Sequence, residues 1–306
     1  MIAGRKARRE RQDGAALLLV LWISGLFALL VAGFTAAVRS DAGLAHNAME
    51  RVRVEALQEA GLAAAVLGLQ HPEETRWQAD ARPYAVSLGG GKVTVRVIDQ
   101  NGLVDLNKAP DELILGILAI GGLEPDDAEG VLAALQDWRD EDDDRRDGGA
   151  EGIDYRRASL GYDPANAPFL APAELEQVMG VPAGLFRRIG DGLTTYSRQG
   201  LLNPLTAPPV ALAALPGMTA RDLQDVLTLR HRPDPETAVR DRLQYASAYL
   251  TEEVGPFYGL RLEAETRGGF RAAAEAVVWI GEQQGLYSVA EWRQRAWPAP
   301  QEGAGG

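Results

Sequence analysis

The 306-residue chain carries 43 aspartates and glutamates against 31 lysines and arginines, a net charge of -12, and it has no cysteine. Those numbers exclude disulfides and thiolate metal sites and argue against charge-driven binding to nucleic acid or anionic lipid. They leave room for one large or two medium domains, and they permit an oxidising compartment without requiring one.

Met1 to Gly14 holds Arg5, Lys6, Arg8, Arg9 and Arg11, and residues 15–38 then run for 24 positions without a charged side chain. As a helix that run is roughly 36 Å long, enough to cross a hydrocarbon core of about 30 Å with some tilt. Basic residues before the span and the bulk of the chain after it predict a cytoplasmic N-terminus and an exported body. A cleaved signal peptide is the alternative, and Thr35-Ala36-Ala37 offers the small residues its processing needs. The apolar run nevertheless exceeds the roughly 7 to 15 residues usual for such a segment.

The junction Gly14-Ala15 resembles the processing site of type IV prepilins and pseudopilins. There a prepilin peptidase cuts after glycine on the cytoplasmic side and methylates the new amine. The resemblance implies a leader over 1–14, cleavage between Gly14 and Ala15, N-methylation of Ala15, and a helix kept in the inner membrane. The fifth residue of the mature chain is then Leu19, where nearly all pilin-like proteins place glutamate. Among pseudopilins the K-class minor subunit of type II secretion systems typically lacks that carboxylate, and this chain resembles that class.

Residues 39–72 continue the helical pattern. Val52, Ala56, Ala60, Ala63 and Leu67 form an apolar stripe ending near His71-Pro72, as expected of a rod whose second half packs on a domain. Alternation at Tyr84, Val86 and Leu88 and at Val93, Val95 and Val97, across Gly89-Gly90-Gly91-Lys92, predicts a hairpin. Comparable alternation returns only at Tyr258, Leu260 and Leu262 and from Phe270 to Trp279, with Gly268-Gly269 as the turn. Since two strands make a marginal sheet, the two hairpins are expected to pair. The fold class is α+β. A discontinuous sheet domain over 73–101 and 251–297 is interrupted by a helical insertion over 102–250, and a low-complexity tail at 298–306 reads as disordered.

Within the insertion, Pro110 opens a helix at Asp111, Asp126-Asp127 opens Ala128 to Trp138, Pro172 opens Glu174 to Met179, and Pro209 opens Val210 to Leu215. Leu106-Asn107-Lys108-Ala109-Pro110 before Ile120-Gly121-Gly122 is echoed by Leu202-Asn203-Pro204 and Ala207-Pro208 before Pro216-Gly217-Met218. The repeat resembles a helix-hairpin-helix or sterile-alpha-motif-like unit. A helix-hairpin-helix can grip DNA phosphate through its turn amides, which makes membrane-anchored DNA binding a rival reading. The first copy carries Glu124, Asp126, Asp127 and Glu129 at its turn, which repel phosphate; the second carries Arg221, Arg230 and Arg232. The likeness to K-class pseudopilins rests on Val104-Asp105-Leu106-Asn107, Asp137-Trp138-Arg139-Asp140, Gly149-Ala150-Glu151, Asn166 to Phe169 and Glu174-Leu175.

Asp140 to Asp154 packs eight carboxylates against Arg145 and Arg146. Asp140, Asp142, Asp144 and Glu151 occupy positions one, three, five and twelve of an EF-hand-like loop, where oxygen ligands would surround calcium. Arg145 stands where that loop needs its turn glycine, and the sequence shows no clear helix leaving Glu151. A solvated acidic loop is the plain alternative. The family resemblance implies calcium here, with Asp137, Asp147 and Asp154 as further possible ligands. A hard-cation site fits a chain without cysteine and with only His46, His71 and His231.

Those histidines lie far apart, and no nucleophile motif or phosphate-cradling loop accompanies them, so an enzyme is not expected; a metal-assisted hydrolase on the acidic loop is the catalytic alternative. The resemblance implies a minor pseudopilin at the tip of a periplasmic filament, with I-class and J-class minor pseudopilins as partners and the prepilin peptidase acting during maturation. A minor pilin of a type IV pilus is the neighbouring alternative.

Overall fold

The computed structural model describes residues 6–297 other than 198, and the backbone alone at 6–16, 36–37, 40–42 and 73. Met1 to Arg5 and the tail from 298 lie outside the described residues. Gly14 and Ala15 fall in the backbone-only stretch.

A single helix, α1, runs 64 residues from Lys6 to Leu69. No proline interrupts it before His71-Pro72. Leu17–Thr35 has a mean hydropathy of 2.6 and is wholly uncovered by the rest of the chain. The far end of α1 is pinned by Gln70. Its Nε2 donates to Gly281 O at 3.3 Å and Gln283 O at 3.1 Å, while Gly285 N donates to its Oε1 at 2.7 Å.

Strands β1 (Asp80–Leu88) and β2 (Gly91–Asp99) form the first hairpin. The chain then crosses an insertion. It holds β3 (Val104–Asp105), α2 (Asp111–Ile120), α3 (Pro125–Arg139), α4 (Gly152–Arg157), α5 (Leu185–Ile189), β4 (Leu193–Thr194), α6 (Pro209–Ala213), α7 (Ala220–Leu229) and α8 (Pro235–Arg242). It returns as β5 (Phe257–Thr266), β6 (Arg271–Ile280) and β7 (Tyr287–Arg295). The sheet is antiparallel and five-stranded in the order β1-β2-β5-β6-β7. One transverse row sets the register: Tyr84 opposite Val95, Val95 opposite Leu262, Leu262 opposite Ala274 and Ala274 opposite Gln294.

The core of this half is the helix side of the sheet. Val93, Val95, Val97, Leu260, Leu262, Ala264, Ala274, Ala276 and Val278 pack against Val54, Leu57, Leu62, Ala65, Val66 and Leu69 of α1. Alternate residues of each strand face the helix, as the two-residue period requires. The alanines of β6 and Gly61 of α1 let the layers close: a Cβ on Gly61 would lie 2.9 Å from Val93 Cγ2.

Two expectations are corrected. The stripe Val52, Ala56, Ala60, Ala63 and Leu67 does not face the sheet; Val52 is 65% and Leu67 50% exposed. This part of α1 is apolar on both sides, so periodicity alone could not choose the packed one. β7 was also unforeseen. Its sequence is polar and it lies at a sheet edge that α1 does not cover, leaving Tyr287, Val289 and Trp292 exposed.

The insertion has its own core, in which Leu113, Ile114, Ile117, Leu118, Leu135, Trp138, Tyr155, Leu175, Leu185, Ile189, Leu202 and Leu212 are buried. Helices α2 and α3 are joined through Gly122, at φ +91°, and α6 and α7 through Gly217, at φ +78°, a region that favours glycine. The two hairpins meet at Gly116, where a Cβ would fall 2.0 Å from Ala214 O. The segment expected as helix at Glu174 to Met179 is a short 3-10 turn, Pro172–Gln177, and the one expected at Val210 to Leu215 is the five-residue α6. Runs this short bury too few residues to display a helical period.

Asp99 ties the two halves together. It is fully buried at the end of β2 and accepts from Asn101 N at 3.2 Å, Thr206 Oγ1 at 3.1 Å and Gly255 N at 3.0 Å. The chain's exit from the sheet and its return are thus fastened to one carboxylate. Burial pushes its pKa up to about 6 against those hydrogen bonds.

Candidate functional site

The acidic segment bridges α3 and α4 on the outer side of the insertion. Its floor is aromatic. Trp138, 3% exposed, stacks on Phe169 with ring centroids 6.1 Å apart and meets Tyr155 at the same distance. Tyr155 is anchored through its hydroxyl, which accepts from Met179 N at 2.9 Å. Asn107 clamps the opposite wall, donating from Nδ2 to Phe169 O at 3.0 Å and accepting from Phe169 N at 2.8 Å. That clamp brings Asn166 beside the loop, where its Nδ2 donates to Asp142 O at 3.3 Å and Asp143 Oδ1 at 3.1 Å.

Above this floor the carboxylates divide into two groups. Asp137 and Glu151 are buried, at 0% and 3% exposure. Asp142, Asp143, Asp144 and Asp147 are exposed, and Asp140 and Asp154 lie between. The loop approaches Asp137 so closely that a Cβ on Gly149 would sit 2.0 Å from its Oδ2. Arg146 reaches inward: its backbone N–H lies 3.3 Å from both Asp137 oxygens, its Nη1 donates to Asp137 Oδ1 at 2.8 Å, and the same nitrogen pairs with Asp140. Asp154 accepts from Glu151 N at 3.1 Å and lies 3.8 Å from Arg145 and 3.7 Å from Arg157.

Glu151 is the unusual member. Both of its carboxylate oxygens are buried without a hydrogen-bond partner, as are Asp140 Oδ1 and Asn166 Oδ1. Burial, and then the charges of Asp137, Asp140, Asp143 and Asp142, push its pKa up to about 7. A buried carboxylate with no donor is costly, and acceptor atoms from three separate segments in this condition suit a hard cation. Among the described residues, however, no three carboxylate or imidazole side chains already stand grouped to hold an ion. Arg146 supplies the local positive charge instead.

Of the residues read from the sequence, the fold brings Glu151 into the electrostatic reach of Asp137, Asp140 and Asp142, while Asp144 and Asp147 point to solvent and Asp154 caps α4. The expectation that no helix leaves Glu151 is corrected. Helix α4 starts at Gly152, the residue after it, and at six residues is too short to announce itself by periodicity. Sequence spacing missed Asn166 and Asp143. The first comes from a distant segment that only the Asn107 clamp delivers.

At the turns that raised the DNA-binding reading, Glu124, Asp126 and Asp127 are exposed beside Gly122. Arg230 of the second copy is committed elsewhere, donating from Nε to Pro204 O at 2.7 Å and from Nη2 to Ala207 O at 2.7 Å.

Residues 97–198, from the end of β2 through β4 and including the whole acidic site, match the family model for type II secretion system (T2SS), protein K. Type II secretion system protein K of Klebsiella pneumoniae is 28% identical over 202 residues, 59% of this chain and 61% of that relative. The protein of the same name from Pectobacterium carotovorum subsp. carotovorum is 27% identical over 208 residues, covering 59% of this chain and 62% of its own. The chain thus spans about three fifths of the length of these curated relatives. In fold it is similar to a chain in the crystal structure of the GspK-GspI-GspJ complex from the enterotoxigenic Escherichia coli type 2 secretion system. The TM-score is 0.58 at 19% identity, over 85% of this chain and 99% of that one. The chain is thus similar to type II secretion system protein K, most specifically over residues 97–198.

Proposed function

We propose that this chain works as a K-class minor pseudopilin, a structural subunit at the tip of the periplasmic filament through which a type II secretion system exports folded proteins. The observation that carries the reading is α1. One unbroken helix is bare over Leu17–Thr35 and packed on an antiparallel sheet from Val54 onward, with the protein K segment set into that sheet between β2 and β5. Such a shape roots a folded head in a membrane. The basic residues ahead of the span argue for a cytoplasmic N-terminus and a periplasmic body. Cleavage after Gly14 and methylation of Ala15 by the prepilin peptidase belong to the same reading. So does the partnership with I-class and J-class minor pseudopilins, the kind of assembly named for the structure that this fold resembles.

Leu19 supports placement at the tip, since it offers no carboxylate to a neighbouring subunit's amine. The paired hairpins α2–α3 and α6–α7 we read as the helix-hairpin-helix or sterile-alpha-motif-like head that such a subunit carries. The role is structural and not catalytic.

The acidic loop fits calcium. Glu151, with its two unpartnered oxygens, and Asp140, with one, would hold the ion together with the exposed Asp142, whose Oδ1 accepts from Asp144 N at 2.9 Å, and the exposed Asp144. Asp137, Asp147 and Asp154 remain candidates. Bound there, the ion supplies the positive charge that lets Glu151 ionise while buried. The reading is tested in the native host. Removing the gene should stop export of the system's cargo, and the intact chain should restore it; export that continues without the gene refutes the assignment.

A further inference from the structure

The acidic loop carries a cation of its own. Arg146 binds Asp137 through both its backbone N–H and its guanidinium, and the guanidinium pairs with Asp140 as well. Asp137 is fully buried, whereas the Arg146 side chain is 42% exposed, so the guanidinium closes the site from the solvent side. It adjoins an open hollow of about 320 Å³ lined by Asn107, Gln136, Arg139, Asp140 and Pro168. The arginine compensates two carboxylates and leaves Glu151 beneath them with neither oxygen partnered.

Resting on the calcium reading above, we infer that Arg146 is a tethered competitor for the divalent ion. It holds Asp137 and Asp140 while the ion is absent, swings into the adjoining hollow and solvent when the ion binds, and so sets the concentration at which the loop loads. Two physical points carry this. A divalent ion on the unpartnered Asp140 Oδ1 would share that carboxylate with the guanidinium on Oδ2, and two cations so close in a partly desolvated site repel, so each weakens the other's hold. The guanidinium reaches Asp137 and Asp140 through the one nitrogen Nη1, and its side chain is 42% exposed, so it can leave toward solvent while Trp138 and Tyr155 stay buried. Apparent affinity is then the intrinsic affinity reduced by the fraction of molecules whose arginine has already let go.

The test is a calorimetric titration of the full chain in detergent micelles with calcium chloride, comparing the unaltered protein with Arg146→Gln and Arg146→Lys. Removing the competitor should tighten calcium binding by about tenfold or more in Arg146→Gln, and by less in Arg146→Lys, which keeps the charge on a shorter and more strongly hydrated side chain. The same Arg146→Gln protein should melt at a lower temperature in chelator, and the deficit should vanish in saturating calcium. A dissociation constant that is unchanged or weaker in Arg146→Gln, in a protein whose parent binds calcium, shows Arg146 to be a brace and overturns the inference. If Arg146→Gln is unfolded in chelator, Arg146→Lys decides: binding a few-fold tighter than the parent supports competition, and equal binding refutes it. If the unaltered chain binds no calcium, the calcium reading fails and this inference falls with it.

Discussion

Replacing Glu151 with glutamine should change stability in opposite directions with and without calcium, and in chelator the change should depend on pH. Glu151 is 3% exposed with no donor on either oxygen, and its pKa is raised from 4.5 to about 7. At 1.36 kcal/mol per pH unit, ionising it in the native state costs roughly 3 kcal/mol more than in the unfolded chain. Below pH 4.5 both states keep the proton and the group contributes nothing. Between 4.5 and 7 the unfolded chain loses its proton while the native state retains it, so stability declines as pH rises. Above 7 the full penalty of roughly 3 kcal/mol is in place. Glutamine does not titrate. In chelator, therefore, Glu151→Gln should gain up to about 3 kcal/mol on the parent at pH 8 relative to pH 4.5, with local opening of the loop setting a lower ceiling. In saturating calcium the variant should be the less stable of the two, because it has lost a charged ligand. Guanidinium denaturation of both full chains in detergent, followed by tryptophan fluorescence, measures this. If the stability difference in chelator is the same at pH 4.5 and pH 8, Glu151 is not the strained carboxylate described above.

In cells containing the prepilin peptidase, mass spectrometry should find a mature chain beginning at N-methylated Ala15, and a bulky residue at Gly14 should leave the leader in place. A chain beginning near Ser40 would mark a signal peptide. Calcium at a hundredfold excess over its dissociation constant should stabilise the chain by about 2.7 kcal/mol and magnesium by less, and Asp142→Asn with Asp144→Asn should remove most of the effect; identical melting curves in calcium and chelator refute the site. Gly116→Ala should cost about 1 to 3 kcal/mol in denaturant unfolding, since its Cβ would fall 2.0 Å from Ala214 O and push α2 away from α6. A neutral substitution there would mean the two hairpins are not closely packed.

The features legible in the sequence were those in which one local pattern has one structural solution. An uncharged run of membrane length, two alternating hairpins and the helix that Pro110 opens at Asp111 needed no tertiary information. What escaped depended on partners distant in sequence. The side of α1 that packs is chosen by the sheet, because alanines suit both Val93 and solvent. β7 forms because β6 offers an edge, not because its own residues demand burial. In the acidic loop, spacing identified Glu151 and Asp140 but could not reveal that Asn107 delivers Asn166, or that Arg146 folds back onto Asp137. Arg145, at the EF-hand glycine position, drew attention as the departure from the motif, whereas its neighbour makes the contacts that matter.

The central claim, that this chain is a membrane-rooted subunit of a minor pseudopilin complex, is tested most directly by co-expressing the full chain with the I-class and J-class minor pseudopilins of the same secretion system. The assembly is then sized by light scattering in detergent. The account predicts a discrete complex containing all three chains, with little self-association of this one alone. Homopolymers of this chain, or its failure to associate with either partner, would contradict it.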